Sequence, residues 1–154
     1  MAPPRDAVWA AAIDSATAVE ASAVGLAAYT RGRLDDAAAA LTRARDLSTT
    51  DLAAFAEFNL GFVLGQLDRP HEALAAYQQV IDTYRDDPTP ALREVVATAL
   101  NNRGFRLGQL DRRDEELAAY QQIIDTYRED PGVRELVELA IVALGELAGD
   151  GAQD

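Results

Sequence analysis

Cysteine and lysine are both absent from these 154 residues, and histidine, tryptophan and methionine occur once each. Without cysteine there is no disulfide framework, no thiolate nucleophile and no thiolate metal site. The single histidine, His71 beside Pro70, has no carboxylate at a metal-ligand spacing, so neither a metal nor a cofactor is expected. It reads as a surface residue at a helix start. Asp86-Asp87 and Glu129-Asp130 fall where helices should end and read as solvated turns, not acid–base pairs. Gly149-Asp150-Gly151 is too short for a phosphate-binding loop. No apolar run approaches the ~20 residues that cross a bilayer. The N-terminal stretch has Arg5 as its one basic residue and is broken by Asp14, which makes a poor signal peptide. These absences lead to the expectation of a non-enzymatic, soluble, cytoplasmic chain with no catalytic residue.

What is present is alanine and acid. All 14 basic residues are arginine, against 26 acids, for a net charge of −12. A surface of that sign argues against nucleic acid and anionic membranes as partners. It favours a basic partner, although solubility alone would also account for it. Hydrophobic residues make up 49%, and much of that is alanine, the best helix former. Glycine and proline cluster at a few places, as short turns between helices require.

The chain also repeats itself. Leu64-Gly65-Gln66-Leu67-Asp68-Arg69 returns 43 residues later as Leu107-Gly108-Gln109-Leu110-Asp111-Arg112. Between 64–88 and 107–131, 20 of the 25 positions are identical. A fixed period of this size marks a stacked-repeat architecture.

Seven helices are predicted, with no strand. The first covers Asp6 to Thr30, ended by Gly32, and the second about Leu34 to Leu47. Ser48 to Asp51 forms a loop that offers N-caps, and the third helix covers about Asp51 to Leu64. The fourth begins at Pro70 and ends near Arg85. The fifth is capped by Thr89, with Pro90 in its first turn, and continues to Leu107. The sixth covers about Arg113 to Arg128, and the seventh about Val133 to Ala148. A polar tail, 149–154, is expected to fray. The single domain divides into units of about 16–48, 52–90 and 95–131, with a closing helix at 133–148.

Each unit carries a glycine in its first helix, at Gly25, Gly61 or Gly104, and the closing helix has Gly145. Twelve residues on stand Ala37, Ala73 and, against the pattern, Glu116. Bulky Leu41, Tyr77 and Tyr120 follow four residues later, and then Ala44, Val80 and Ile123. A mid-helix glycine costs about 1 kcal/mol against alanine, so it implies close approach of a partner helix, here expected to present the small residue. This spacing resembles the tetratricopeptide repeat, and the 43-residue period resembles its longer bacterial variant. The resemblance implies an all-α, right-handed superhelix of three helix pairs plus the closing helix. Asp68 and Asp111 depart from the family by standing where a turn glycine is usual. Arg103 and Arg106 oppose Glu116 across unit three, which suggests an ion pair.

All three asparagines (Asn59, Asn101, Asn102) and all four phenylalanines (Phe55, Phe58, Phe62, Phe105) lie on the third and fifth helices. Asparagine is a mediocre helix former, so its place there asks for a reason. In the family these helices line a concave groove. The resemblance therefore implies a peptide-binding surface in which Asn59 and Asn102 bond the ligand backbone and the phenylalanines form an aromatic floor, with Gln66, Gln109 and Tyr29 at the edge. Packing of the phenylalanines between helices is the competing account. The expected function is capture of a protein or peptide ligand. The alternative is self-assembly, a homodimer formed through inner or end surfaces such as Leu136, Leu139, Val142 and Leu147 of the closing helix.

Overall fold

The structure is a computed structural model, and it describes residues 6–150. The described residues form eight α-helices, α1 (Ala7–Ser15), α2 (Ala18–Thr30), α3 (Leu34–Leu47), α4 (Leu52–Gln66), α5 (Pro70–Tyr84), α6 (Pro90–Gln109), α7 (Arg113–Tyr127) and α8 (Arg134–Asp150), with a 3₁₀ turn at Pro131–Val133. No strand occurs among them. The described residues are all-helical, and within each unit consecutive helices pack on one another. Two compact units divide the chain, Met1–Ala76 and Tyr77–Asp154.

In the first unit α2 packs on α3 and α3 on α4. Its core is largely alanine: Ala21, Ala28, Ala37, Ala40, Ala44, Ala54 and Ala56 are fully buried, with Leu41 among them. Small side chains let the backbones come close, and the burial is gained by proximity instead of side-chain bulk. In the second unit α6 packs on α7 and α7 on α8. There the core is built of larger groups, including Leu92, Leu100, Leu107, Ile123 and Tyr127. Arg93 ties the start of α6 to the turn before α8, donating from Nε to Asp130 at 2.8 Å and lying 5.2 Å over the Tyr127 ring.

The single helix expected over Asp6–Thr30 is two. The chain leaves helical geometry at Ala16 and Thr17, and Thr17 caps α2. Its hydroxyl accepts from the Glu20 amide, and the Glu20 carboxylate accepts from the Thr17 amide at 2.8 Å. This is a capping box, legible in Thr17-Ala18-Val19-Glu20 and overridden in the helical reading by the surrounding alanines. The Ala16 carbonyl freed by the break accepts from Arg43 Nε at 2.8 Å. Arg33 lies 5.3 Å over the Trp9 ring and holds α1 to the start of α3. Thr17→Ala is expected to lower stability by about 1 kcal/mol, read as a shift in the urea midpoint. Thr17 also holds the Glu20 carboxyl below its ordinary range. The share contributed by Glu20 is therefore complete above that range and is lost as the pH falls through the lowered folded value.

Other boundaries differ by a residue or two. Thr89 stands at the N-cap of α6 but its side chain caps nothing, while Pro90 occupies the first turn as expected. α8 continues to Asp150, into the stretch expected as tail, and 151–154 lie outside the described residues.

Three helix ends share one turn. Gly32, Asp68 and Asp111 have φ of 70, 56 and 56°, all left-handed. The next amide reaches back to close each end: Arg33 to Ala28, Arg69 to Leu64 and Arg112 to Leu107, at 2.9–3.0 Å. This is the Schellman arrangement. Each arginine then bonds an acid three residues on, Asp36, Glu72 or Glu115, in the first turn of the following helix. The turn geometry explains why the family favours glycine where Asp68 and Asp111 stand. Replacing Asp68 or Asp111 with glycine is expected to raise stability by about 0.5 kcal/mol each, and Gly32→Ala to lower it by about 1 kcal/mol, in thermal unfolding.

Gly25 and Gly104 face the bulky residue of the partner helix, not the small one. A Cβ on Gly25 would lie 2.9 Å from Leu41 Cγ, and one on Gly104 2.9 Å from the Tyr120 ring. In the first unit the Ala37 carbonyl is farther off, at 3.6 Å. Each of these two glycines is thus a socket for the large side chain sixteen residues on.

Candidate functional site

In the first unit, α2, α3 and α4 enclose a cleft of about 470 Å³. Gly25 and Leu41, both buried, are part of its lining. Val19, Leu26 and Tyr29 come from α2, and Leu52, Asn59 and Phe62 from α4. Val19 and Leu26 are 70% and 64% exposed, unusual for aliphatic side chains on a helix that also has a buried face. Tyr29 and Phe62 meet edge to face across the cleft, with ring centroids 5.7 Å apart and planes at 67°. Among the described residues no charged side chain lines the cleft. Its polar groups include the Asn59 carboxamide, Ser22 and the Tyr29 hydroxyl. In a chain of net charge −12 the cleft is neutral, so its chemistry suits an apolar anchor with one or two hydrogen bonds.

Three of the residues singled out from the sequence, Tyr29, Asn59 and Phe62, therefore come together at one cleft. Phe55 and Phe58 are half-buried and Gln66 is exposed on α4, outside the cleft lining. Val19, Ser22, Ala23 and Leu26 were not singled out, yet the signal existed. Val19, Ser22 and Leu26 stand six and three residues before Gly25 and one after it, the places Phe55, Phe58 and Phe62 hold around Gly61.

In the second unit, α6 carries the remaining candidates. Asn102 Nδ2 donates to the Tyr77 hydroxyl at 3.5 Å, so this amide supports a buried phenol. Burial raises the Tyr77 pKa, and the Asn102 bond works against that rise. Asn101 is half-buried. Phe105 is well exposed, with the Arg106 guanidinium 5.7 Å over its ring, and Arg106 donates to Gln109 Oε1 at 2.8 Å. Phe105 and Gln109 border an open depression of about 520 Å³ with Arg113 and Glu116.

The ion pair suggested between Glu116 and Arg103 or Arg106 does not form; among the described residues no ion pair reaches Glu116. Its carboxylate packs over Gly108, where a Cβ would come within 2.5 Å of Oε1. Burial there raises its pKa, with Arg113 opposing the rise. Glycine at 108 opens a space next to the helix, and the carboxylate fills it.

A family model described as tetratricopeptide repeat matches residues 59–86 and 96–129, the two segments that contain α5 and α7 with parts of the helices before them. The match supports the tetratricopeptide repeat family for these two repeats. Tetratricopeptide repeats generally mediate protein–protein interaction, and the family is typically non-catalytic. No curated protein matches the chain. Among the described residues no group of three or more His, Cys, Asp or Glu is placed to hold a metal. No described helix is long and apolar enough to cross a membrane.

Proposed function

We propose that the domain captures a segment of a partner protein, and that the cleft of the first unit seats an apolar side chain of that segment. The observation that carries this reading is the neutral, largely apolar cleft between Val19, Leu26, Tyr29 and Phe62, with Asn59 at its wall. A volume of about 470 Å³ accepts a leucine or an aromatic ring together with the backbone beside it. The Asn59 carboxamide offers both a donor and an acceptor, which suits an extended peptide backbone. In the second unit the same register around the motif glycine exposes Phe105 on α6 and Leu139 and Val142 on α8. The acidic surface adds long-range attraction for a basic partner, while the neutral cleft sets the short-range choice.

The test is affinity capture from the native host's lysate with wild type, Leu26→Asp and Asn59→Ala, each checked for helical content and unfolding midpoint. Leu26→Asp is expected to abolish capture of the partner, and Asn59→Ala to weaken it about three- to tenfold. A partner held equally by all three proteins would place binding outside the cleft.

A further inference from the structure

The two near-identical segments differ most where the open depression of the second unit lies. Between 64–88 and 107–131, Val80 against Ile123 and Asp86 against Glu129 keep their chemistry. The remaining differences change charge: Pro70, His71 and Ala73 stand against Arg113, Asp114 and Glu116. Arg113 and Glu116 both border the depression, with Phe105 and Gly108 from α6, Asp111 from the turn and Leu147 from α8. Its walls thus come from three helices of the chain. The Arg113 guanidinium donates from Nη2 to the Leu147 carbonyl. Arg33, Arg69 and Arg112 each pair with the acid three residues on, but Arg113 does not pair with Glu116. The half-buried Glu116 carboxylate over Gly108 is left with no ion pair among the described residues. Arg106 is bonded to Gln109 and lies over Phe105, outside the lining. The charged groups that border the depression are therefore two acids and one arginine already bonded to a carbonyl.

We propose that this depression receives an arginine side chain of a partner protein, its guanidinium on the Glu116 carboxylate and its aliphatic stem against Phe105 and Leu147. Helix packing does not require an acid at this place, since Ala73 is fully buried at the same position of the earlier segment. The two carboxylate oxygens match the fork of a guanidinium, which an ammonium cannot span. A carboxylate partly withdrawn from water gains more from a cation than an exposed one does. Burial already raises the Glu116 pKa, and a bound guanidinium would reverse that rise. The Phe105 ring is 55% exposed, and an arginine stem would cover part of it. The site stands on the second unit alone and does not rest on the cleft of the first.

The probe is the peptide acetyl-Gly-Arg-Gly-amide, titrated into isotope-labelled protein and followed by backbone amide NMR shifts. Counterparts carry citrulline, the neutral isostere, or glutamate in place of arginine. Saturable shifts are expected at Gly108, Gln109 and Glu116, with a Kd of about 1–10 mM, as one side chain can give. Glu116→Gln keeps the shape and removes the charge, and Glu116→Ala restores the residue of the earlier segment. Each should weaken binding at least about fivefold, and the amide spectrum shows that each is folded. Asp114→Ala removes an equal charge outside the depression and should change binding less than about twofold, as should Phe62→Ala. Equal binding to the Glu116 variants, or equal binding of the citrulline peptide, would overturn the proposal. So would a loss with Asp114→Ala as large as with Glu116→Gln, which would mean general attraction by charge. Binding of the glutamate peptide would assign the depression to an anion, and the absence of saturable shifts would leave it no ligand of this kind; either overturns the proposal. Capture that survives Leu26→Asp would strike the cleft and leave this site standing, so the two fail separately.

Discussion

Arg45→Met is expected to lower the stability of the domain by about 3 kcal/mol. Glu57 on α4 is a buried carboxylate, and Arg45 of α3 donates to it from Nη1 at 3.0 Å. Arg45 is itself held by Asp46, whose Oδ1 accepts from Nε at 2.8 Å. Methionine keeps the aliphatic length and removes the charge, so Glu57 is left buried without its partner. The pair as a whole need not be stabilising, because desolvation of the two ions offsets their attraction. The repeat supplies its own comparison: 43 residues on, the place of Glu57 is taken by Leu100, which is fully buried. Glu57→Leu is therefore expected to be neutral or stabilising by about 1 kcal/mol, and Arg45→Met/Glu57→Leu to recover most of the loss. Urea titrations of the four proteins complete the cycle. An Arg45→Met protein as stable as wild type would show that solvent satisfies Glu57.

The second expected result is a pair of opposite signs from one substitution at one motif position. Gly104→Ala should destabilise by about 1–2 kcal/mol, and Gly145→Ala should stabilise by about 0.5–1 kcal/mol. Both glycines are mid-helix, where alanine is intrinsically favoured by about 1 kcal/mol. At Gly104 the added methyl would lie 2.9 Å from the Tyr120 ring, and Tyr120 is buried and cannot swing away. At Gly145 the methyl meets open space. A third protein isolates the cause: in a Tyr120→Ala background the clash is gone, and Gly104→Ala should turn stabilising. If Gly104→Ala costs nothing in the wild type, the ring moves and the socket is not tight.

Much of the fold was legible in the residues, and the reasons differ by element. Pro70 and Pro90 begin α5 and α6 because each lacks a hydrogen-bond donor that the first turn does not use. The repeat of Leu64–Arg69 at Leu107–Arg112 gave two turns of the same geometry, down to an aspartate at φ 56° in each. The break between α1 and α2 was present as Thr17-x-x-Glu20 but outweighed by alanine content, since propensity accumulates along a stretch while a cap acts at one residue. Of the proposed site, Tyr29, Asn59 and Phe62 could be found by residue type. Val19 and Leu26 could have been found by register alone, because aliphatic side chains carry no mark of exposure until the fold assigns their face.

The sequence by itself determined most of the helices, the repeat, the places of the turns and the absence of cysteine chemistry. Those follow from local rules: capping, propensity, glycine and proline, and a period that recurs. Only the tertiary structure decided which side chains meet. Asn59 faces a cleft while Asn102, its repeat equivalent, bonds Tyr77. Glu116 fills the space over Gly108 instead of pairing with arginine. Gly104 is a filled socket and Gly145 an empty one. Such differences arise from neighbours brought in from 8 to 25 positions away, and the same local pattern is compatible with either outcome until those neighbours are in place.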